Sequence, residues 1–240
     1  MTGPTGTVPS TVPPTALVTG ASSGIGLAIA ERLLADGWTV AGVSRRRPAL
    51  PADCSPGSFR HLPADLLQPG APEQVAEQLG TLDAVVCAAG LQHSAPLGRL
   101  HHDQGRQMWQ LHVDVPTRLV DALVGRVRDG GRVVVIGSRT GTGAAGKSQY
   151  AATKAALVGL TRSWAMELAP RRITVNVVAP GPTDTAMLQS RTRAATPPQL
   201  PPLGRYVQPA EVAALTCLLL GPDGGSITGQ HLVICGGASL

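Results

Sequence analysis

Short apolar runs alternate with stretches of helical spacing along most of this chain. Ala16-Leu17-Val18, Thr39 to Val43, Leu82 to Cys87, Arg132 to Ile136, Ile173 to Val178 and Leu232 to Cys235 are apolar or β-branched runs of strand length. Between them, Leu27 to Ala35, Met108 to Arg128, Ser148 to Leu168 and Glu211 to Leu220 carry apolar residues at helical intervals. Asp36-Gly37 suits the C-terminal end of the first of these helices, because glycine accepts the left-handed conformation found there. Strands that are apolar throughout, alternating with helices, predict a parallel sheet covered on both faces. The expected fold class is therefore α/β and doubly wound, with ligands at the C-terminal ends of the strands.

Two segments break this rhythm. Residues 1–14 are rich in Thr, Pro and Gly without hydrophobic period, and are expected to form a disordered tail ahead of one domain over 15–240. Leu188 to Gln208 contains Pro197-Pro198 and Pro201-Pro202 with little periodicity, which suits a lid or a plain surface loop. Its charges, Arg191, Arg193 and Arg205, leave open an acidic or phosphopantetheine-bearing substrate.

Composition narrows the function classes. Aromatic residues are 2% of the chain, so the core must be built from Ala, Val, Leu and Ile. The formal charge is +5, with Arg45-Arg46-Arg47 the densest basic run, but no aromatics interleave with the basic residues as a single-strand nucleic-acid platform needs. The four cysteines, Cys54, Cys87, Cys217 and Cys235, form no C-x-x-C pair, and no histidine cluster has zinc-ligand spacing. They read as small hydrophobes in a reducing compartment. No signal peptide and no apolar run of transmembrane length is seen, so a cytoplasmic protein without membrane contact is expected.

The chemistry begins after the first strand. Thr19-Gly20-Ala21-Ser22-Ser23-Gly24-Ile25-Gly26 stands between a strand and a helix. Glycines there let the backbone approach a pyrophosphate, and the helix start offers free N–H groups and a positive dipole end. Later, Gly137-Ser138 closes an apolar strand, and Tyr150 and Lys154 lie four apart on one helix face. The T-G-x-x-x-G-x-G turn, together with Ser138, Tyr150 and Lys154 in that order, resembles the classical short-chain dehydrogenase/reductase family, and within it the β-ketoacyl carrier-protein reductases. The likeness runs from about Thr15 to Gly237. It implies a single Rossmann-like domain with a seven-stranded parallel sheet.

The resemblance also assigns roles. Thr19, Gly20, Ser22, Ser23, Gly24, Ile25 and Gly26 would bind the dinucleotide. NAD-specific sites place an acidic residue at the end of the second strand, whereas this chain has Ser44-Arg45-Arg46. An arginine fork can pair with a 2′-phosphate, so NADP(H) is the expected cofactor, with Arg45 discriminating and Ser44 or Arg46 assisting. Asp65, with Leu66, matches the family aspartate near the adenine ring. Cys87-Ala88-Ala89-Gly90 matches the N-N-A-G segment without its asparagines, leaving Ala88, Ala89 and Gly90 as cofactor contacts. Pro180, Gly181, Thr183 and Thr185 fall where the family meets the carboxamide and pyrophosphate.

In the family reaction, hydride passes between nicotinamide and substrate carbon, while a tyrosine moves the proton. A free tyrosine has a pKa near 10, and a neighbouring ammonium favours its phenolate. Tyr150 would serve as general acid or base, Ser138 would hold the substrate oxygen, and Lys154 would also bind the nicotinamide ribose. His112 stands where the family has an asparagine on its fourth helix. It could sustain a proton relay and titrate near neutrality. No metal is expected.

The leading functional expectation is NADPH-dependent reduction of a ketone to a secondary alcohol, in the biosynthesis of a polyketide or other secondary metabolite. The alternatives are a dihydrodiol or alcohol dehydrogenase running oxidatively, suggested by Thr183-Asp184-Thr185 but opposed by Arg45, and a non-catalytic dinucleotide-binding regulator. The substrate is a small-molecule carbonyl or alcohol, and a homo-oligomer, tetramer or dimer, is expected from the family.

Overall fold

The computed structural model describes residues 12–50, 58–190 and 196–240. The expected tail therefore falls largely outside the described residues, as do Cys54, Arg191 and Arg193. Seven strands, β1 (Thr15–Thr19), β2 (Thr39–Ser44), β3 (Phe59–Pro63), β4 (Leu82–Cys87), β5 (Val127–Ile136), β6 (Thr174–Pro180) and β7 (His231–Ile234), form one parallel sheet in the order β3-β2-β1-β4-β5-β6-β7. The order reverses beside β1, so the connections leaving the paired strands β1 and β4 run to opposite faces and open the crevice where doubly wound sheets bind ligands.

The apolar strands are explained by two cores. Successive residues of a strand point to opposite faces. Leu17, Val85, Val133, Val135, Val175 and Val177 face one core, completed by Leu119, Leu123 and Leu157. Ala16, Val18, Val86, Val134 and Val178 face the other, completed by Ile29, Leu33, Val212 and Leu219. Helix α1 (Gly24–Ala35) and helix α6 (Pro209–Leu220) thus cover one face, while α4 (Val115–Leu123) and α5 (Ser148–Leu168) cover the other.

The structure adds two elements that periodicity did not reveal. β3 is an edge strand in which Arg60 and Pro63 are exposed and only Leu62 is buried, so its run is not apolar. Helix α2 (Ala71–Glu77) has only seven residues. The helix expected over Met108 to Arg128 is displaced. Helix α3 (His102–Trp109) begins earlier, and Gln110–Asp114 is a π turn in which the Val115 N–H bonds the Gln110 carbonyl, five residues back. Pro116 lacks the N–H that an α-helix would direct to the His112 carbonyl, which favours this wider turn. At the other end, Val127 continues the four-residue spacing of Leu119 and Leu123 but already belongs to β5.

Among the described residues, no helix is long and apolar enough to cross a membrane. Cys87 and Cys235 are buried free thiols, and burial pushes the Cys87 thiol up to about 12.

Candidate active site

A cavity of about 360 Å³ opens along the C-terminal edge of the sheet. Its floor begins at the turn between β1 and α1, where Gly20, Ser22, Ser23, Gly24, Ile25 and Gly26 all line it. Glycine is required at two of these positions. A Cβ on Gly20 (φ +71°) would lie 2.9 Å from the Ala89 Cα, and one on Gly26 would lie 2.3 Å from the Gly20 carbonyl oxygen. Helix α1 has no acidic residue in its first turn and no side-chain cap, so its positive end faces the cavity unopposed.

Thr19 does not reach the cavity wall. It is buried, and its hydroxyl oxygen accepts the N–H groups of Ala88 at 3.0 Å and Ala89 at 3.1 Å. Thr19 positions the 88–90 loop, which does line the cavity. This clamp also accounts for how the segment holds its shape without the asparagines of N-N-A-G.

At the end of β2, Arg45 lines the cavity, whereas Arg46 is exposed and lies off it. Arg45 is thus the member of the pair that the cavity wall includes. Ser44 lines the cavity, but its hydroxyl donates to the Arg46 carbonyl at 2.7 Å, and its oxygens share the His61 Nε2 proton at 3.1 Å each. Ser44 shapes the turn that presents Arg45. Beyond β3, Asp65 and Leu66 line the same end, and Asp65 Oδ1 accepts the Leu67 N–H.

Pro180, Gly181, Thr183 and Thr185 line the opposite side after β6. The Thr183 hydroxyl donates to the Gly181 carbonyl and that of Thr185 to the Thr183 carbonyl, folding this stretch on itself. A Cβ on Gly24 would lie 3.2 Å from Thr185 Cγ2, so the segment reaches across to the glycine turn.

Ser138, Tyr150 and Lys154 come together on one wall, and all three are buried. Ser138 Oγ accepts the Thr140 N–H at 3.1 Å, a bond that does not use the hydroxyl proton. Lys154 Nζ donates to the Ile136 carbonyl at 2.8 Å and lies 5.9 Å from the Tyr150 ring centroid. Burial pushes the Lys154 ammonium down to about 7. The wall can therefore present a hydroxyl donor, a phenol and an amine of near-neutral pKa to one small volume.

His112 meets Tyr150 edge-on at 5.6 Å between ring centroids. Its Nε2 accepts the Leu91 N–H at 3.1 Å. The Thr153 hydroxyl donates to the Tyr150 carbonyl at 2.8 Å, so the contact of 2.8 Å between Nδ1 and Thr153 Oγ1 carries the imidazole proton. Both nitrogens are thus engaged in the neutral form. Burial first, and the nearby Lys154 charge second, hold its pKa well below the ordinary value. Titration near neutrality, expected from the sequence, is corrected: His112 is a neutral bracket between the loop after β4 and the helix that carries Tyr150.

The cavity also includes Arg139, Lys147, Gln92 and Gln107, which sequence reasoning passed over. Arg139 follows Ser138 directly, and Lys147 precedes α5, so adjacency to the Ser–Tyr–Lys set was the available signal. Arg205 turns away. Its guanidinium holds Glu211 through two bonds of 2.7 and 2.8 Å, and it does not line the cavity.

Comparison with known proteins agrees with this geometry. Residues 20–239 match a family model described as enoyl-(acyl carrier protein) reductase. The chain is 36% identical over 234 residues to the 3-oxoacyl-[acyl-carrier-protein] reductase FabG of Salmonella typhimurium, covering 92% of this chain and 96% of that protein. A short-chain dehydrogenase/reductase from Serratia marcescens superposes with a TM-score of 0.80 at 33% identity, covering 95% of this chain and 98% of that one. A blue fluorescent protein from a metagenomic library, solved in complex with NADPH, superposes with a TM-score of 0.82 at 33% identity over the same shares of the two chains. Fold, motif order and similarity over nearly the full length agree: this chain belongs to the short-chain dehydrogenase/reductase family.

Proposed function

We propose that this chain, an NADP(H)-dependent oxidoreductase acting on CH–OH and C=O groups, reduces a ketone to a secondary alcohol with Tyr150 as the general acid. The observation that carries this reading is the convergence of Ser138, Tyr150 and Lys154 on one wall of the cavity that starts at the glycine turn. The residues present fit the cofactor. The Gly20–Gly26 cradle and the open end of α1 suit a pyrophosphate, and Arg45 suits a 2′-phosphate at the far end. NADPH supplies the hydride when bound.

The protein's part is to hold the carbonyl and move the proton. The Ser138 hydroxyl donates its proton, which the bond from the Thr140 N–H does not use, to the substrate oxygen. The Tyr150 hydroxyl donates its proton to the same oxygen as negative charge develops there. Lys154, when protonated, favours the phenolate left behind. His112 fixes the helix position of Tyr150 through Thr153 and takes no proton itself. A place in the biosynthesis of a polyketide or other secondary metabolite is the role we assign, since the relatives include a reductase of 3-oxoacyl groups. A homo-oligomer is proposed as the working form, supported by the exposed apolar side chains of Trp109 on α3 and Met166 on α5. A monomeric mass in solution refutes it.

The test is NADPH and NADH oxidation by purified protein across a panel of ketones, including β-ketoacyl thioesters. Tyr150→Phe is expected to lower turnover by at least about a hundredfold, and Arg45→Asp to erode the preference for NADPH over NADH. Wild-type turnover by Tyr150→Phe overturns the mechanism, and an unchanged cofactor preference in Arg45→Asp removes that residue's role.

A further inference from the structure

Most polar side chains on the cavity wall already have protein partners. Ser44, Thr183 and Thr185 donate to backbone carbonyls, and His112 is engaged at both nitrogens. Gln92 is different. It lines the cavity and is only 7% exposed. Its amide nitrogen donates one long bond, of 3.3 Å, to Ser94 Oγ. Its carbonyl oxygen, Oε1, accepts no hydrogen bond among the described residues. Nor is that oxygen sealed in. Among the described residues, the fully buried side-chain polar atoms that lack a partner belong to Arg132, Arg139 and Thr196. The surface that Oε1 keeps is therefore on the cavity side, where its lone pairs are left for a donor.

The chain holds this amide in place from both sides. The Leu91 N–H is bound by His112 Nε2 at 3.1 Å, and the His112 ring meets that of Tyr150 edge-on. The His93 N–H reaches the sulfur of the fully buried Met108 at 3.4 Å. Gln92 thus stands between two anchored neighbours, on the side of the cavity where Tyr150 lies. A group fixed before binding can discriminate through a single hydrogen bond. Its surroundings select the kind of donor. Asp65, the single carboxylate among the described residues that line the cavity, is at the Arg45 end. No acid beside Gln92 on that wall balances an ammonium, and Lys154 opposes one. A carboxylate or ester would set its own lone pairs against those of Oε1. The group that suits this position is neutral and carries an O–H or N–H.

We infer that Gln92 selects ketones that bear a neutral hydrogen-bond donor, a hydroxyl or an amide N–H, near the carbonyl, by accepting that donor at Oε1. This rests on the reductase reading above for the placement of the ketone at Ser138 and Tyr150, and it adds the substrate class. A ketone that excludes water from Oε1 and brings no donor leaves a buried carbonyl unpaired, and that penalty is the source of discrimination. Gln92 moves no proton, so its loss raises KM for donor-bearing ketones and leaves kcat in place.

The test is calorimetric titration of the NADP⁺-loaded protein with two matched pairs that differ in the donor: hydroxyacetone against methoxyacetone, and acetoacetamide against N,N-dimethylacetoacetamide. The donor-bearing member of at least one pair is expected to bind about five- to a hundredfold more tightly, the cost of leaving a buried polar group unpaired. The pair that responds tells hydroxyl from amide. In Gln92→Met the ratio falls toward one, and what remains there measures the added methyl groups by size alone. Gln92→Glu keeps an acceptor oxygen and so keeps a ratio above that of Gln92→Met. The fluorescence of bound NADPH reports that both variants are folded. The same titrations in Tyr150→Phe read recognition where proton transfer has been removed. A ratio that survives there supports the role of Gln92 whether or not the reductase mechanism holds, and a ratio lost there assigns the discrimination to Tyr150 and overturns it. A wild-type ratio of one or less for both pairs overturns the inference, as does a ratio unchanged in Gln92→Met. A ratio in Gln92→Glu no higher than in Gln92→Met overturns the assignment to Oε1.

Discussion

Replacing His112 by leucine tests whether the imidazole is a neutral bracket. Leucine fills comparable space but can neither accept the Leu91 N–H nor donate to Thr153 Oγ1. Thr153 still donates to the Tyr150 carbonyl, so its loss is small. The Leu91 N–H loses its acceptor in a partly buried position, which costs about 1–3 kcal/mol. For a chain of this size that lowers Tm by roughly 2–12 °C. The pH dependence is more diagnostic. Because the folded pKa of His112 is depressed, the unfolded chain takes up a proton below pH ~6.5 that the folded chain refuses. Wild-type stability is therefore full above that pH and falls on acidification, by up to about 1.4 kcal/mol per pH unit from this one group. His112→Leu lacks the group, so its stability deficit narrows between pH 7 and pH 5. Other titrating groups are common to both proteins and cancel in the difference. Urea unfolding followed by tryptophan fluorescence at half-unit pH intervals gives that difference directly. A deficit that stays constant from pH 7 to pH 5 would refute the neutral bracket.

Two further outcomes follow from the same geometry. Lys154 has a folded pKa of about 7 against an ordinary 10.5. Between those values the unfolded chain holds a proton that the unliganded folded chain lacks. Stability of the apoprotein should rise with pH across that window, and Lys154→Met should flatten the rise in the same unfolding series; equal slopes would contradict the burial of the amine. Gly26→Ala places a methyl group 2.3 Å from the Gly20 carbonyl oxygen, where backbone has to move. NADPH affinity, read by the fluorescence of the bound cofactor, should fall by at least about tenfold, the effect of roughly 1.4 kcal/mol. Unchanged affinity would mean that the turn is not the cradle.

Much of the fold was legible because burial on both faces leaves the central strands mostly apolar, with few polar positions such as Asp83 and Asn176. β4 and β6 could be read to within a residue or two of their ends for that reason. β3 was silent because it sits at the edge, where Arg60 and Pro63 meet solvent. The boundary between α4 and β5 was misread because Val127 satisfies the helical period while pairing with Leu82. At the site, chain order revealed which residues would share the cavity, including Ser138, Tyr150 and Lys154. It could not reveal which polar atoms were already committed. Thr19, Ser44 and His112 are polar residues beside a binding site, yet each has its side chain engaged by protein groups. Conversely Arg139, whose buried Nε has no hydrogen-bond partner among the described residues, resembles any surface arginine when only its neighbours in sequence are known.

The sheet also acts as a partition between two kinds of failure. Helix α1, whose start forms the phosphate cradle, rests through Ile29 and Leu33 on one core. Helix α5, which carries Tyr150 and Lys154, rests through Leu157 on the other. Softening the first core is expected to disturb the phosphate cradle first, and softening the second to misalign the helix that carries the proton-transfer pair. The partition is incomplete, because Ile136, whose carbonyl holds Lys154, packs in the first core, while Val43 and Leu66, which line the cavity near Arg45 and Asp65, pack in the second. Drift in either set of core residues is therefore weighted toward one trait, cofactor affinity on one side of the sheet and turnover on the other, and still reaches the other through these shared residues.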